Sequence, residues 1–140
     1  MKRVFGDTGG FVGLLVAEDR VHDRASALFE MAAQDRWTPV TTNAVVIETY
    51  SVLLARARDG RRAAITFLDA VTADQSGALV VERIRIEDEQ RASTLLRAHV
   101  DKGYSLCDAL SFTVMERLAI TEAIAFDRHF REYGRFIILE

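Results

Sequence analysis

Short β-rich runs that alternate with longer stretches of helical periodicity constrain this chain more than any other feature. The runs lie at Lys2 to Asp7, Trp37 to Thr41, Ala78 to Ile84, Ala123 to Phe126 and Phe136 to Leu139. Between them the apolar spacing becomes helical. Val21, Ala25, Leu28, Phe29 and Ala32 fall on one helix face. A shorter helix is expected over Phe11 to Ala17, after a turn at Thr8-Gly9-Gly10. Asn43 suits the N-cap of a helix reaching about Ala57. Asp59-Gly60 separates it from a helix carrying Ile65, Leu68 and Val71 to about Gln75, and Ser76-Gly77 reads as a turn. Glu87 to Val100 is amphipathic, Lys102-Gly103 ends it, and Cys107 to Leu118 is helical again. Pro39 suggests an early strand position or an edge. Such alternation indicates an α/β fold around a mostly parallel central sheet. No repeat, linker or low-complexity segment interrupts the 140 residues, so a single domain over 1–140 is expected.

Composition bears on partners. The formal charge is −3, from 21 acidic and 18 basic residues, which argues against a blanket grip on nucleic acid or anionic lipid. Only Lys2 and Lys102 are lysine; the other bases are Arg, suited to bidentate phosphate contacts, although a GC-rich genome gives the same bias. The lone cysteine, Cys107, excludes an internal disulfide and a multi-cysteine zinc site. His22, His99 and His129 are scattered, with no zinc-protease spacing. Asp7 and then Glu18-Asp19 break the apolar N-terminal stretch, so a signal peptide is not expected. No uncharged run approaches the ~18 apolar residues of a membrane span. A cytoplasmic protein with no membrane partner is the expectation.

Most acids sit among other charges, but a few are isolated. Asp7 is the only charge between Arg3 and Glu18, Glu48 between Arg36 and Arg56, and Asp108 between Lys102 and Glu116. Asp127 directly ends the apolar run Ala123 to Phe126. An unpaired buried carboxylate costs several kcal/mol, so each needs a partner. Simple structural roles are available to three of them. Asp7 could close an Asx-turn, Asp108 could complete a capping box with Ser105, and Asp127 could cap a short helix Arg128 to Tyr133. Glu48 lies too far inside its helix to cap. Asp69 is also lone, but mid-helix. Asp7 and Asp127 fall at strand ends and Asp108 in a first helical turn, positions that converge at the carboxyl edge of an open α/β sheet. With no Cys or His in the set, such oxygen ligands favour Mg²⁺ or Mn²⁺ and suit metal-assisted phosphoryl chemistry. Two bound divalent ions would turn the formal −3 into a small positive charge.

Asp7-Thr8, Thr42-Asn43 followed by Glu48, Ser105-Leu106-Cys107-Asp108-Ala109-Leu110-Ser111-Phe112, and Ala125-Phe126-Asp127-Arg128-His129-Phe130 occur in an order and spacing that resembles the PIN domain, more narrowly the VapC toxins of bacterial and archaeal toxin–antitoxin pairs. The resemblance spans essentially the whole chain, and the last two segments are its most specific part. It implies a three-layer fold, a parallel sheet sandwiched by helices. It also implies a ribonuclease in which Asp7, Glu48, Asp108 and Asp127 coordinate one or two Mg²⁺ or Mn²⁺ ions and metal-activated water cleaves RNA. Asp7 and Asp108 would be principal ligands, with Thr8 and Ser105 in support. A homodimer and a small cognate antitoxin covering the active-site groove are implied as well. Gly9 stands where the family often has Ser, and Cys107 where Thr or Val is frequent. The cluster Arg56, Arg58, Arg61 and Arg62 is either an RNA grip or a solvated helical corner. Two other readings remain at this stage. A haloacid-dehalogenase-type phosphatase would need Asp-x-Asp, and Gly9 fills the second position. A PIN-like module that binds RNA or protein without catalysis would have no use for four gathered acids.

Overall fold

The computed structural model describes residues 1–73 and 77–140. In chain order the elements are β1 (Arg3–Gly6), α1 (Thr8–Leu15), α2 (His22–Gln34), β2 (Thr38–Thr42), α3 (Asn43–Arg56), α4 (Gly60–Ala73), β3 (Val80–Glu82), α5 (Ile86–Ala98), α6 (Leu106–Arg117), β4 (Glu122–Ile124), α7 (Arg128–Tyr133) and β5 (Ile137–Leu139). The strands form one sheet in the order β3-β2-β1-β4-β5, and every pairing is parallel. The expected end of the fourth helix at Gln75 and the Ser76 half of the turn lie outside the described residues. Gly77, with φ of 74°, adopts the left-handed conformation that such a turn uses.

Alternation along β1 builds the three layers. Val4 packs with Leu28 and Ala32 of α2 and Ile124 of β4. Its neighbour Phe5 joins the main core, where it meets Phe130 of α7 at 6.4 Å between ring centroids and shares the cluster with Phe112 of α6. Successive strand residues face opposite sides, so helices cover both faces. The same alternation splits Ala123 and Ile124 of β4 between the two clusters.

Several local expectations give way to packing. Thr8-Gly9-Gly10 is not a turn but the first turn of α1, which follows β1 after Asp7 alone. A Cβ on Gly10 would lie 3.1 Å from the Ile124 carbonyl oxygen, and one on Gly13 would lie 2.8 Å from Val21 Cγ2. The glycines let α1 approach β4 and α2 closely, a role that outweighs their preference for turns. Thr42, not Asn43, caps α3: its Oγ1 accepts from Val45 N at 3.1 Å. Asn43 Oδ1 instead accepts from Ile84 N at 2.9 Å, tying the start of α3 to the β3–α5 connection. Pro39 sits inside the sheet, near the start of β2. Pairing of β2 with β3 begins only at Val40, and Thr38 N donates to Lys2 O on the other side. The donor that Pro39 lacks therefore points to the side where no ladder has started. Strand β4 ends at Ile124, so Asp127 stands beyond the strand on a short connection rather than at its last residue.

The far end of α6 is anchored by Arg117. Its Nε and Nη2 donate to Asp88 Oδ1 and Oδ2 at 2.9 Å each, and Nη1 donates to Glu82 at 2.9 Å. Asp88 is 1% exposed and also accepts from Arg85 N at 2.9 Å. Burial pushes the Asp88 carboxyl up, but the Arg117 hydrogen bonds and the Arg85 N–H outweigh it and hold the group below the usual range. Arg117→Met would strand a buried carboxylate and should lower stability by about 3 kcal/mol in denaturant unfolding at neutral pH. The gap should narrow as acid protonates carboxylates, because a neutral Asp88 no longer needs the guanidinium, and Asp88→Asn in the same chain should recover part of the loss.

Candidate active site

The carboxyl edge of the parallel sheet collects side chains from four separate segments. Asp7 follows β1; its N–H donates to Ile124 O at 3.1 Å, and its carbonyl accepts from Gly10 N and Phe11 N. Its carboxylate makes no capping hydrogen bond to α1 and is left to face the cleft, 4% exposed. Glu48 is half-buried on α3, on one stripe with Val52 and Arg56, all of which line the same cleft. Asp127 is the N-cap of α7, its Oδ1 accepting from His129 N at 2.9 Å. Asp108 opens α6 in a capping box: Ser105 Oγ accepts from Asp108 N, and Asp108 Oδ2 accepts from Ser105 N, both at 3.0 Å. The simple structural roles of Asp108 and Asp127 are thus real, and for Asp127 the role coexists with placement at the cleft. The Asx-turn that is one alternative for Asp7 does not form.

The cleft has a volume of about 480 Å³; Asp7, Thr8, Glu48 and Asp127 line it together with Arg20 and Arg56. Asp108 reaches the group through His129, whose Nδ1 lies 2.8 Å from Asp108 Oδ2 and 3.4 Å from Asp127 Oδ1. Facing two carboxylates, Nδ1 carries the proton and donates. Asp108, Asp127 and His129 each offer a ligand atom within 4.8 Å of one another. In the sequence His129 is one of three scattered histidines and does not stand out as a site residue. Its position two residues after Asp127, at a helix start, is the available signal. Asp69 stays exposed on α4 and does not line the cleft. Of the arginine cluster, Arg56 alone lines the acid cleft, whereas Arg58 and Arg62 line a separate groove with Leu15 and Val16.

Among the described residues the four acids have no Lys or Arg partner to balance them. Burial pushes the Asp7 carboxyl up to about 8, opposed by the Thr8 N–H and reinforced by Asp108, Glu48 and Asp127. Thr8 Oγ1 is buried beside Asp7 without a hydrogen-bond partner. Burial, with Glu48 next in effect, also pushes the Cys107 thiol up, so it remains a neutral S–H against Glu48. Hard oxygen donors, an orphaned hydroxyl and uncompensated charge, with the imidazole orienting Asp108, fit a divalent cation.

A family model described as the PIN domain matches residues 4–136. The 23S rRNA-specific endonuclease VapC20 of Mycobacterium tuberculosis is 34% identical over 131 residues, covering 94% of both chains. The crystal structure of that protein, described as a Sarcin-Ricin loop cleaving toxin, superposes with a TM-score of 0.85 at 31% identity, over 94% of this chain and 95% of that one. VapBC2 from Rickettsia felis, solved with a DNA fragment from its promoter, shares the fold at a TM-score of 0.69 and 13% identity, over 96% of both chains.

The raised Asp7 carboxyl has a stability consequence with a definite sign. The folded state keeps a proton on Asp7 between about pH 4 and pH 8 that the unfolded chain has lost, so this group makes stability fall as pH rises through that window. Asp7→Asn in EDTA should be more stable than the wild type at pH 8.5, by on the order of a few kcal/mol. The difference should shrink toward pH 5. Chemical denaturation at the two pH values measures it, and a gap independent of pH would contradict the assignment.

Proposed function

Because the chain belongs to the PIN-domain family, in its VapC-type branch, we propose that it is a divalent-metal-dependent ribonuclease acting as the toxin of a toxin–antitoxin pair. The observation that carries this reading is the buried Asp7 carboxylate, close to Glu48, Asp108 and Asp127 and, among the described residues, without a Lys or Arg ion-pair partner. In this reading Asp7 and Asp108 hold the ion, Mg²⁺ or Mn²⁺, and Glu48 and Asp127 complete the site directly or through water. When bound, such an ion acidifies water and neutralises charge building on a phosphodiester. The chain's own residues do the rest. The capping box fixes the Asp108 backbone, and His129 and Ser105 N share its Oδ2, so the other oxygen is the one free for a ligand. Asp127 is held in the same way by His129 N. Such supporting hydrogen bonds set the orientation and basicity of ligands.

RNA is the proposed substrate. VapC20 is a 23S rRNA-specific endonuclease, so 23S rRNA is the first target to test. The proposed partners are a small cognate antitoxin and a second copy of the chain. No helix among the described residues is long and apolar enough to cross a membrane; the proposed setting is the cytoplasm, where such a toxin would meet its RNA. A metal-free binding module finds no support in a buried acid that lacks a counter-charge.

Incubation of purified protein with total RNA and Mn²⁺ tests the reading. Asp108→Asn should cut cleavage by at least about 100-fold, the upper end of what loss of a ligand's supporting partner costs, with an unchanged far-UV circular dichroism spectrum. Full activity in that variant would refute it. His129→Ala should weaken Mn²⁺ binding by about 10–100-fold in calorimetry, and His129→Asn, which keeps an N–H donor, should restore part of the affinity.

A further inference from the structure

Two cations share the acid cleft, and neither is spent on the acids. Arg20 and Arg56 both line it, both are exposed, and among the described residues neither side chain makes an ion pair or a hydrogen bond. From this we infer that Arg20 and Arg56 form a phosphate clamp that grips the RNA backbone next to the cleavage site. The inference rests on the ribonuclease reading above and adds the residues that hold the strand.

The local structure explains why the two guanidinium groups are free. Arg20 lies in the connection between α1 and α2, and the acid beside it, Asp19, is occupied in shaping that connection. Asp19 Oδ1 accepts from Val21 N at 2.9 Å, its carbonyl accepts from His22 N at 3.0 Å, and its N–H donates to Val16 O at 3.0 Å. His22 Nδ1 lies 2.8 Å from Gly13 O, which pins the start of α2 to α1. Arg20 therefore projects from a turn whose shape is already set. Arg56 ends α3 on the stripe that carries Glu48 and Val52, roughly 12 Å along the helix from Glu48. That offset places the origin of the Arg56 side chain about two turns from Glu48, where it suits a neighbouring phosphate of the strand.

Chemistry favours a polyanion as the occupant. Arginine presents a planar fork that engages phosphate oxygens in pairs. With a formal charge of −3 the protein has no general attraction for RNA, so affinity must come from a few placed cations. Backbone contacts of this kind position a strand without reading its sequence. Arg58 and Arg62, close to Arg56 in sequence, line a different groove and provide a control of equal charge.

The test measures binding separately from cleavage. A fluorescein-labelled single-stranded oligoribonucleotide of mixed sequence is titrated in EDTA by fluorescence anisotropy at several KCl concentrations. The chains compared are the wild type, Arg20→Ala/Arg56→Ala and Arg58→Ala/Arg62→Ala. Removing one arginine from a phosphate should reduce the slope of log K against log salt by about 0.7. The Arg20/Arg56 variant should show this reduction for both arginines and bind about tenfold more weakly at low salt. The control pair should keep the wild-type slope. Equal slopes for the two double variants would overturn the clamp, as would undetectable RNA binding by the wild type. Cleavage of total RNA by the wild type with Mn²⁺ is scored in parallel. Failure there removes the ribonuclease reading, whereas the clamp stands or falls on the slopes.

Discussion

A carboxylate that is 4% exposed, with three other acids as its electrostatic neighbours, cannot be ionised at low cost unless something positive joins it. Asp7 is held in that condition by the middle of the sheet. It follows the central strand β1, hydrogen-bonds its backbone to β4, and starts α1 without spending its side chain on the cap. The scaffold maintains an unfavourable charge arrangement because the surrounding packing over-determines it, a common property of functional sites. A bound cation would turn this unfavourable burial into a source of stability.

The arrangement depends on the parallel sheet. Every strand points its carboxyl end to the same edge, so the segments that follow β1, β2 and β4 arrive together there. Close contact of α1 with β4 and α2, permitted by Gly10 and Gly13, narrows the space beside Asp7. On the other side, Arg117 clamps the end of α6 to Asp88 and Glu82, which steadies the helix whose start carries Asp108. Capping interactions then serve twice. Ser105 Oγ and Asp127 Oδ1 satisfy helix ends, while Ser105 N, His129 Nδ1 and His129 N occupy one oxygen each of Asp108 and Asp127 and so fix which oxygens remain available.

Much of the fold is legible in the sequence because its signals are local. Period-two and helical spacing identify the strands and most helices, and charge isolation singles out Asp7, Glu48 and Asp108. The misreadings share a cause. Thr8-Gly9-Gly10 looks like a turn until the packing demand at Gly10 is known, and Asn43 looks like a cap until Ile84 is seen to claim its side chain. In both cases a residue far away in sequence decides between two locally acceptable roles. His129 escapes a sequence reading for the same reason, since its importance lies in a hydrogen bond to Asp108 that no spacing encodes.

By itself, then, the sequence determined the alternation of strands and helices, hence the sheet edge at which the isolated acids must gather, because backbone periodicity and the cost of lone charges act within a few residues. Tertiary structure alone decided which polar groups meet at that edge. It brought His129 to Asp108, turned Arg56 toward the acids while sending Arg58 and Arg62 to another groove, and added Arg20 from a distant turn. Those choices follow from the packing angles of helices on a sheet, which are set by interactions summed over the whole core and are written in no single stretch of the chain.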